Sequence, residues 1–417
     1  MTISWAPHAI WWSVYPLGAC SAPIRTADEP GVHHRLRILE NWLNHVVSLG
    51  CNGLQLGPIF ASASHGYDIL DHTSVDPRLG DESDVAVLVA ACHQRGIRVM
   101  FDGVFNHVAS NHPRVEQARL DGLDSEAGRL FRRDPTRPDG LSRFEGHESL
   151  VEIDHASAEA HDYVKSIMEY WLARGIDGWR LDAAYRIPGP FLAKVIAEVK
   201  TTYPDALVMG EILHGDYGTL AEEAGLDSIT QYELWKAIWS GIKDRNPHEL
   251  VWALQRHQAT RGRELPWTFV GNHDVTRIAS QVSVAGAHVA AGIVMTLPGM
   301  PAIYYGDEWG WTGVKEEREG GDDAIRPALP QGGPEGLDLN GQSDMAQTQR
   351  TWQLLSHVRR THPWIPTANV EVTSKIYRKV TYQTRADSGE WIDVEINTEQ
   401  EIPHLRITDS TGELVYI

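Results

Sequence analysis

Five short segments carry side chains suited to acid–base or nucleophilic chemistry, each at the end of an apolar run or just beyond one. They are HGYDILD with His65, Tyr67 and Asp68; VMFDGVFNH with Asp102, Asn106 and His107; GIDGWRLDAA with Arg180 and Asp182; LVMGEI with Glu211; and FVGNHD with His273 and Asp274. Along an extended strand, alternation puts Arg180 and Asp182 on one face and Trp179 and Leu181 on the other. An inward Arg–Asp pair is costly to desolvate unless it serves a purpose. The plainer alternative is a buried ion pair that stiffens the strand end. One such acid alone is commonly a cap or a loop residue. Acids from several strand ends converging on one mouth are not explained by capping.

Glycoside cleavage uses such a set. A carboxylate nucleophile and a carboxylic acid roughly 5–5.5 Å apart give a covalent glycosyl-enzyme and net retention. Asp182 reads as the nucleophile, kept ionised by Arg180, and Glu211 as an acid in a drier setting that keeps its proton. Asp274, His107 and His273 would hold sugar hydroxyls as positive charge develops. The two histidines could instead be metal ligands, but no HxxxH or HExxH spacing accompanies them, and no metal site is assigned.

The elements that must position these groups alternate. Strands are expected at Ala9–Tyr15, Asn52–Gly57, Ile97–Asp102, Ile176–Asp182, Ala206–Glu211, Asp227–Gln231, Trp267–Gly271 and Ala302–Gly306. Helical periodicity falls between them, at Arg35–Leu49, Asp84–Arg95, Ala158–Ala173, Gly189–Tyr203 and Ala285–Met295. Eight strand–helix units predict an α/β fold, a closed (β/α)8 TIM barrel with active-site residues at the C-terminal ends of its strands. Two intervals are too long for simple connections: His107 to about Leu150, and Asp307 to about Asp344. From about Pro366 the chain turns to short alternating segments. The expected division is barrel over 1–106 and 151–363, an inserted subdomain over 107–150 and a small antiparallel β-domain over 364–417. Trp309 and Trp311, in the loop after the eighth strand, are the candidates for sugar-stacking platforms at the pocket rim, with core packing the alternative.

Composition narrows the partners. The 417 residues carry 37 Lys+Arg against 56 Asp+Glu, a formal charge of -19, which repels polyphosphates and argues against nucleic acid. No stretch offers the 18 unbroken apolar residues of a membrane span, and the N-terminus lacks the basic region and cleavage site of a secretory signal. A cytoplasmic protein with no membrane partner is expected. Cys20, Cys51 and Cys92 are too few and scattered for a disulfide framework or a zinc site, and read as packing residues.

DGVFNH, GWRLDAA, GEI and FVGNHD, in this order and spacing, resemble the four signature regions of the α-amylase family, glycoside hydrolase family 13. LVEIDH resembles its fifth region and HGYD its first-subsite motif; the likeness runs from about Ile10 to Asp307. It implies Asp182 as nucleophile, Glu211 as acid/base and Asp274 as transition-state stabiliser, with Arg180 orienting the nucleophile. Tyr67 would stack on the sugar in subsite −1, beside Asp68, Asp102, His107 and His273. GGDDAIRP resembles a segment of neopullulanases and cyclodextrin-acting members, which implies Asp322 and Arg326 at subsites −1 and −2. An ion pair in a Gly-rich loop is the alternative for these two. Asn106 and Asp154 match two ligands of the family's structural calcium site. Two side chains fall short of the roughly six to eight oxygens a calcium ion takes, so no cofactor or metal is expected.

Departures bear on substrate. Tyr185 and Arg186 stand where many α-amylases carry a Lys-His pair, which argues against ordinary starch hydrolysis. Ala183 after the nucleophile resembles members that prefer α-1,4 bonds. The expectation is therefore a retaining α-glycosidase acting on malto-oligosaccharides or related α-linked oligosaccharides. A transglycosidase sharing the intermediate is the first alternative, and a non-catalytic binding protein of the same fold the second.

Overall fold

Buried apolar runs become parallel strands, because strands covered on both faces need no polar alternation. The computed structural model describes residues 3–25, 29–260, 264–337, 343–412 and 414–416. Its eight barrel strands are Trp11–Val14, Gly53–Leu56, Arg98–Gly103, Gly178–Leu181, Leu207–Gly210, Ser228–Ile229, Trp267–Phe269 and Met300–Tyr304. Each pairs in parallel with its chain neighbour, and the first pairs with the eighth. A parallel bridge from Thr230 to Trp267 joins the sixth to the seventh and closes the ring. All eight strands stand where the sequence places them.

Two cores result. Inside the barrel Trp11, Met100, Leu207, Met209, Trp267, Phe269 and Met300 fill the lumen, with the rings of Trp11 and Trp267 5.4 Å apart. Outside, Trp12, Leu54, Val99, Trp179 and Val208 meet the helices. Helix Glu82–His93 starts on a capping box in which Asp81 accepts from the Asp84 amide and Asp84 from the Asp81 amide. The periodicity at Arg35–Leu49 becomes a 3₁₀ stretch, Arg35–Trp42, followed by an α-helix, Leu43–Ser48.

Helix Ile278–Thr296 is long and apolar enough by composition to cross a membrane. It is bent at Ser283 and packs between the helices Tyr232–Lys243 and Ser343–Thr361, with the C-terminal sheet on its flank. That placement explains its apolar character as core.

After the third strand, His107–Ala109 pairs antiparallel with Leu150–Glu152, and helices Pro113–Asp121 and Glu126–Arg129 lie between them. After the eighth strand the chain forms 3₁₀ turns at Asp307–Trp309, Asp323–Ile325 and Pro334–Gly336; residues 338–342 of that interval lie outside the described residues. The C-terminal strands Asn369–Ile376, Lys379–Arg385, Trp391–Asn397, His404–Asp409 and Leu414–Tyr416 form one antiparallel sheet in chain order. Val380, Tyr382 and Thr384 alternate inward, and Thr384 donates to the Thr296 carbonyl over 2.8 Å. Cys20, Cys51 and Cys92 are buried and unpaired, as expected of packing residues.

Candidate active site

The strand ends gather the acids around one guanidinium. Arg180, at the end of the fourth strand, donates through Nη1 to both oxygens of Asp102 at 2.6 Å and to Asp182 Oδ1 at 3.2 Å. Its Nη2 lies 2.8 Å from Glu211 Oε1. Parallel register explains the convergence, since Asp102 sits opposite Arg180 and Leu181 opposite Gly210, one residue before Glu211. Asp182 and Glu211 keep only 8% and 7% of their surface exposed.

Glu211 is held from three directions. Besides Arg180, it receives the Ala183 amide at 3.0 Å and the Tyr232 hydroxyl at 3.0 Å. Ala183 takes a left-handed conformation, φ 45°, which aims its N–H back at Glu211 instead of continuing the strand. Tyr232 opens the helix after the sixth strand and is itself fixed by Asn272 Nδ2 at 2.8 Å.

Asp274 lies on the opposite side. Its Oδ2 is 2.9 Å from His273 Nε2 and its Oδ1 accepts from Arg326 Nη2 at 3.1 Å. Arg326 also donates to the His273 carbonyl at 2.9 Å and pairs with Asp322 at 3.1 Å. A close approach delivers this arginine: a Cβ on Gly18, in the turn after the first strand, would lie 2.3 Å from the Arg326 carbonyl oxygen. The backbone is clamped further by Arg277 and Tyr304, which both donate to the Ile325 carbonyl at 2.9 Å.

Aromatic rings floor the pocket. Tyr67 stacks on His273 with centroids 5.3 Å apart, its hydroxyl donating to Asp102 Oδ2 at 3.1 Å and meeting His273 Nε2. Tyr15 stacks on the other side of His273 at 5.9 Å. His107 Nε2 is 3.1 Å from the Tyr67 carbonyl, and its ring stacks on Phe144 of the inserted segment at 4.4 Å. Asp68 accepts from Ser64 and lies 3.9 Å from His65 Nε2. A cavity of about 390 Å³ opens over Tyr67, Asp274, Asp322 and Arg326, with Arg25, Ser64 and His65 on its far wall.

The acids differ in their electrostatics. Burial, then the neighbouring Glu211 carboxyl, pushes Asp182 well above the usual aspartate range, against the pull of Arg180. Arg180 is the contact that opposes this rise and favours the ionised form a nucleophile needs. Its charge is shared among three acids, and Asp102 takes the two shortest contacts. Burial alone would raise Asp274 too, but His273 and Arg326 more than offset it and hold that carboxyl far below the usual range. Burial lowers His107 to about 4, so its ring is neutral at pH 7.

Every site residue expected from sequence therefore joins one connected cluster, Asp68 through His65, whose Nδ1 accepts from the Tyr67 amide at 3.3 Å. Tyr15, Tyr232 and Asn272 were missed. An aromatic directly after a barrel strand was the available signal for Tyr15 and Tyr232; nothing marked Asn272 beyond its place beside His273. For Trp309 the core alternative holds. It is 2% exposed and stacks on His45 at 5.1 Å, so it is core and not a sugar platform. The 3₁₀ turn at Asp307–Trp309 rolls it beneath the barrel rim. Trp311 is partly buried, with Arg277 5.9 Å from its ring.

Asp154 commits Oδ1 to the Ala156 amide at 3.1 Å, and Asn106 is buried with its Nδ2 unpartnered among the described residues. That donor set does not make a cage of oxygens for a calcium ion. No step below runs through a metal.

A closed parallel barrel with this carboxylate set at its C-terminal mouth defines the class of (β/α)8 enzyme that handles sugars through paired acids. More narrowly, residues 36–408 match the family described as Alpha amylase, catalytic domain, and the chain belongs to that family. It is 28% identical over 336 residues to the intracellular maltogenic amylase of Bacillus subtilis, covering 75% of this chain and 57% of that one. Neopullulanase 2 of Thermoactinomyces vulgaris is 31% identical over 306 residues, covering 69% and 50%. The chain thus spans about half the length of these relatives. The fold is that of the cyclic alpha-maltosyl-(1→6)-maltose hydrolase from Arthrobacter globiformis, with TM-score 0.82 at 22% identity over 95% of this chain and 92% of that one.

Proposed function

We propose that the protein hydrolyses α-glucosidic bonds, chiefly α-1,4, in short malto-oligosaccharides with retention at the anomeric carbon. The observation that carries this is the single guanidinium of Arg180 in contact with Asp102, Asp182 and Glu211 from three successive strand ends. Glu211 gives its proton to the glycosidic oxygen while an oxygen of the Asp182 carboxylate bonds to C1 and the C1–O bond to the leaving sugar breaks. Glu211, now a carboxylate, takes a proton from water. That water attacks C1, the glycosyl ester breaks, and Asp182 leaves as a carboxylate.

Asp274, ionised beside His273 and Arg326, holds hydroxyls of the sugar while C1 carries positive charge. Tyr67 offers its ring to the pyranose, while the buried Asp102 fixes Arg180 and the Tyr67 hydroxyl. Asp322 and Arg326 hold the next sugar outward, in the cavity they line. A neutral substrate accords with the formal charge of -19.

The substrate class is supported by the names of the relatives, a maltogenic amylase and a neopullulanase, and of a cyclomaltodextrinase from Thermoanaerobacter pseudethanolicus that is 30% identical over 287 residues. A cytoplasmic setting accords with three unpaired thiols and with the word intracellular in the name of the Bacillus subtilis relative. The test is NMR of fresh products from maltose to maltoheptaose, isomaltose, panose and cyclodextrin. Release of an α-anomer from the α-1,4 substrates supports the reading. A β-anomer, or longer oligosaccharides as the main products, replaces it with inversion or with transfer.

A further inference from the structure

A second cavity lies beside the helix that Tyr232 opens. Leu213, Tyr232, Lys236, Glu249, Trp252 and Arg256 line a groove of about 370 Å³ between the helices Tyr232–Lys243 and His248–Ala259. Its lining includes Tyr232, which donates to Glu211 at 3.0 Å, and Leu213, two residues beyond Glu211 in the chain. Trp252 remains 52% exposed and Leu213 36%, in a fold that buries most of its tryptophans.

The platform is built rather than merely exposed. Arg256 packs on the Trp252 ring at 4.6 Å. It is fixed in turn by Glu233 Oε2 at 2.9 Å and by the Gly215 carbonyl at 2.9 Å. Opposite, Lys236 and Glu249 form an ion pair whose side chains stay 48% and 41% exposed, so donors and acceptors stand beside the apolar ring. An aromatic face flanked by charged hydrogen-bonding groups suits a pyranose, which has an apolar face and a hydroxyl rim.

Polarity follows from the roles of the acids. The general acid protonates the leaving oxygen, so the leaving part of the substrate lies on the Glu211 side. The cavity over Tyr67, Asp274 and Arg326 receives the other part. We propose that the Leu213–Trp252 groove binds the leaving-group arm of an α-glucan chain, with Trp252 stacking on a glucosyl unit beyond the one next to the scissile bond. This rests on the glycosidase reading and deepens it, giving longer chains extra affinity from the barrel flank.

The test separates the two readings by measuring binding without turnover. Calorimetry in the Asp182→Asn background compares maltoheptaose with maltotriose, with and without Trp252→Ala. Loss of one stacked ring should weaken maltoheptaose about ten-fold and maltotriose less than about two-fold, with Trp252→Phe recovering most of the loss. Equal affinities for maltoheptaose with and without the indole overturn the groove, as does an equal loss on both sugars. Hydrolysis by the unaltered protein is assayed separately. Its absence would count against the glycosidase reading, while the calorimetry would still decide on the groove.

Discussion

Arg326 and Asp274 meet across the pocket, with Nη2 of the arginine 3.1 Å from Oδ1 of the aspartate, although 52 residues separate them in the chain. The arginine arrives from the loop after the eighth strand and the acid from the end of the seventh. Its guanidinium also joins Asp322, so one cation ties the stabilising acid to the outer subsite.

Arg326→Ala should lower kcat/KM by about ten- to a hundred-fold, from the loss of a charge-assisted contact in a buried site. Asp274 would also lose one of the three groups that hold its carboxyl low, His273 and Arg180 remaining. It would then protonate at higher pH, so the acid limb of the pH–rate profile should move upward. An unchanged limb would remove Arg326 from the account of Asp274.

Glu211→Gln should slow malto-oligosaccharides far more than an activated aryl α-glucoside, whose leaving group needs no proton. General acid help is worth about 10² to 10⁴ in rate. The measurement is kcat/KM for both substrates. Equal losses on the two contradict the role.

Trp309→Ala should act on stability and not on sugar affinity. A fully buried indole stacked on His45 leaves a large cavity when removed, at a cost of about 3–5 kcal/mol. Denaturant unfolding, with maltoheptaose binding measured below the transition, checks both halves. A stable variant with weakened binding would restore the rim platform.

Acid should unfold the protein from within. Burial lowers His72 to about 3 and His107, His112 and His257 to about 4. These rings stay neutral in the folded state, while in the unfolded chain they take up protons near pH 6.5. The stability they contribute is therefore present above about pH 6.5 and falls progressively as pH drops toward 4, by up to about 1.4 kcal/mol per pKa unit for each ring. The thermal midpoint should decline steadily over that range. A flat midpoint from pH 6.5 to 4 would mean that the rings are protonated in the fold.

Much of this is legible in the sequence. Barrel strands buried on both faces read as apolar runs, and an acid at the end of such a run stands out, as Asp182 does after Trp179 and Leu181. Contacts that depend on turns did not read. Nothing local marks Ala183 as left-handed, yet that conformation aims its amide at Glu211. Trp309 looked like a rim residue because a 3₁₀ turn that reverses a side chain leaves no periodic signature. Sequence pairing of Arg180 with Asp182 overstated their bond, because parallel register brings Asp102 opposite the same guanidinium.

The central claim is that Asp182 bonds covalently to the sugar. The most direct measurement is peptide mapping by mass spectrometry after reacting the Glu211→Gln variant with an α-maltosyl fluoride, whose leaving group needs no acid. The account predicts one maltosyl unit esterified to Asp182, accumulating because the second step lacks its base. An adduct on another residue, or steady release of β-maltose with no adduct, would contradict it.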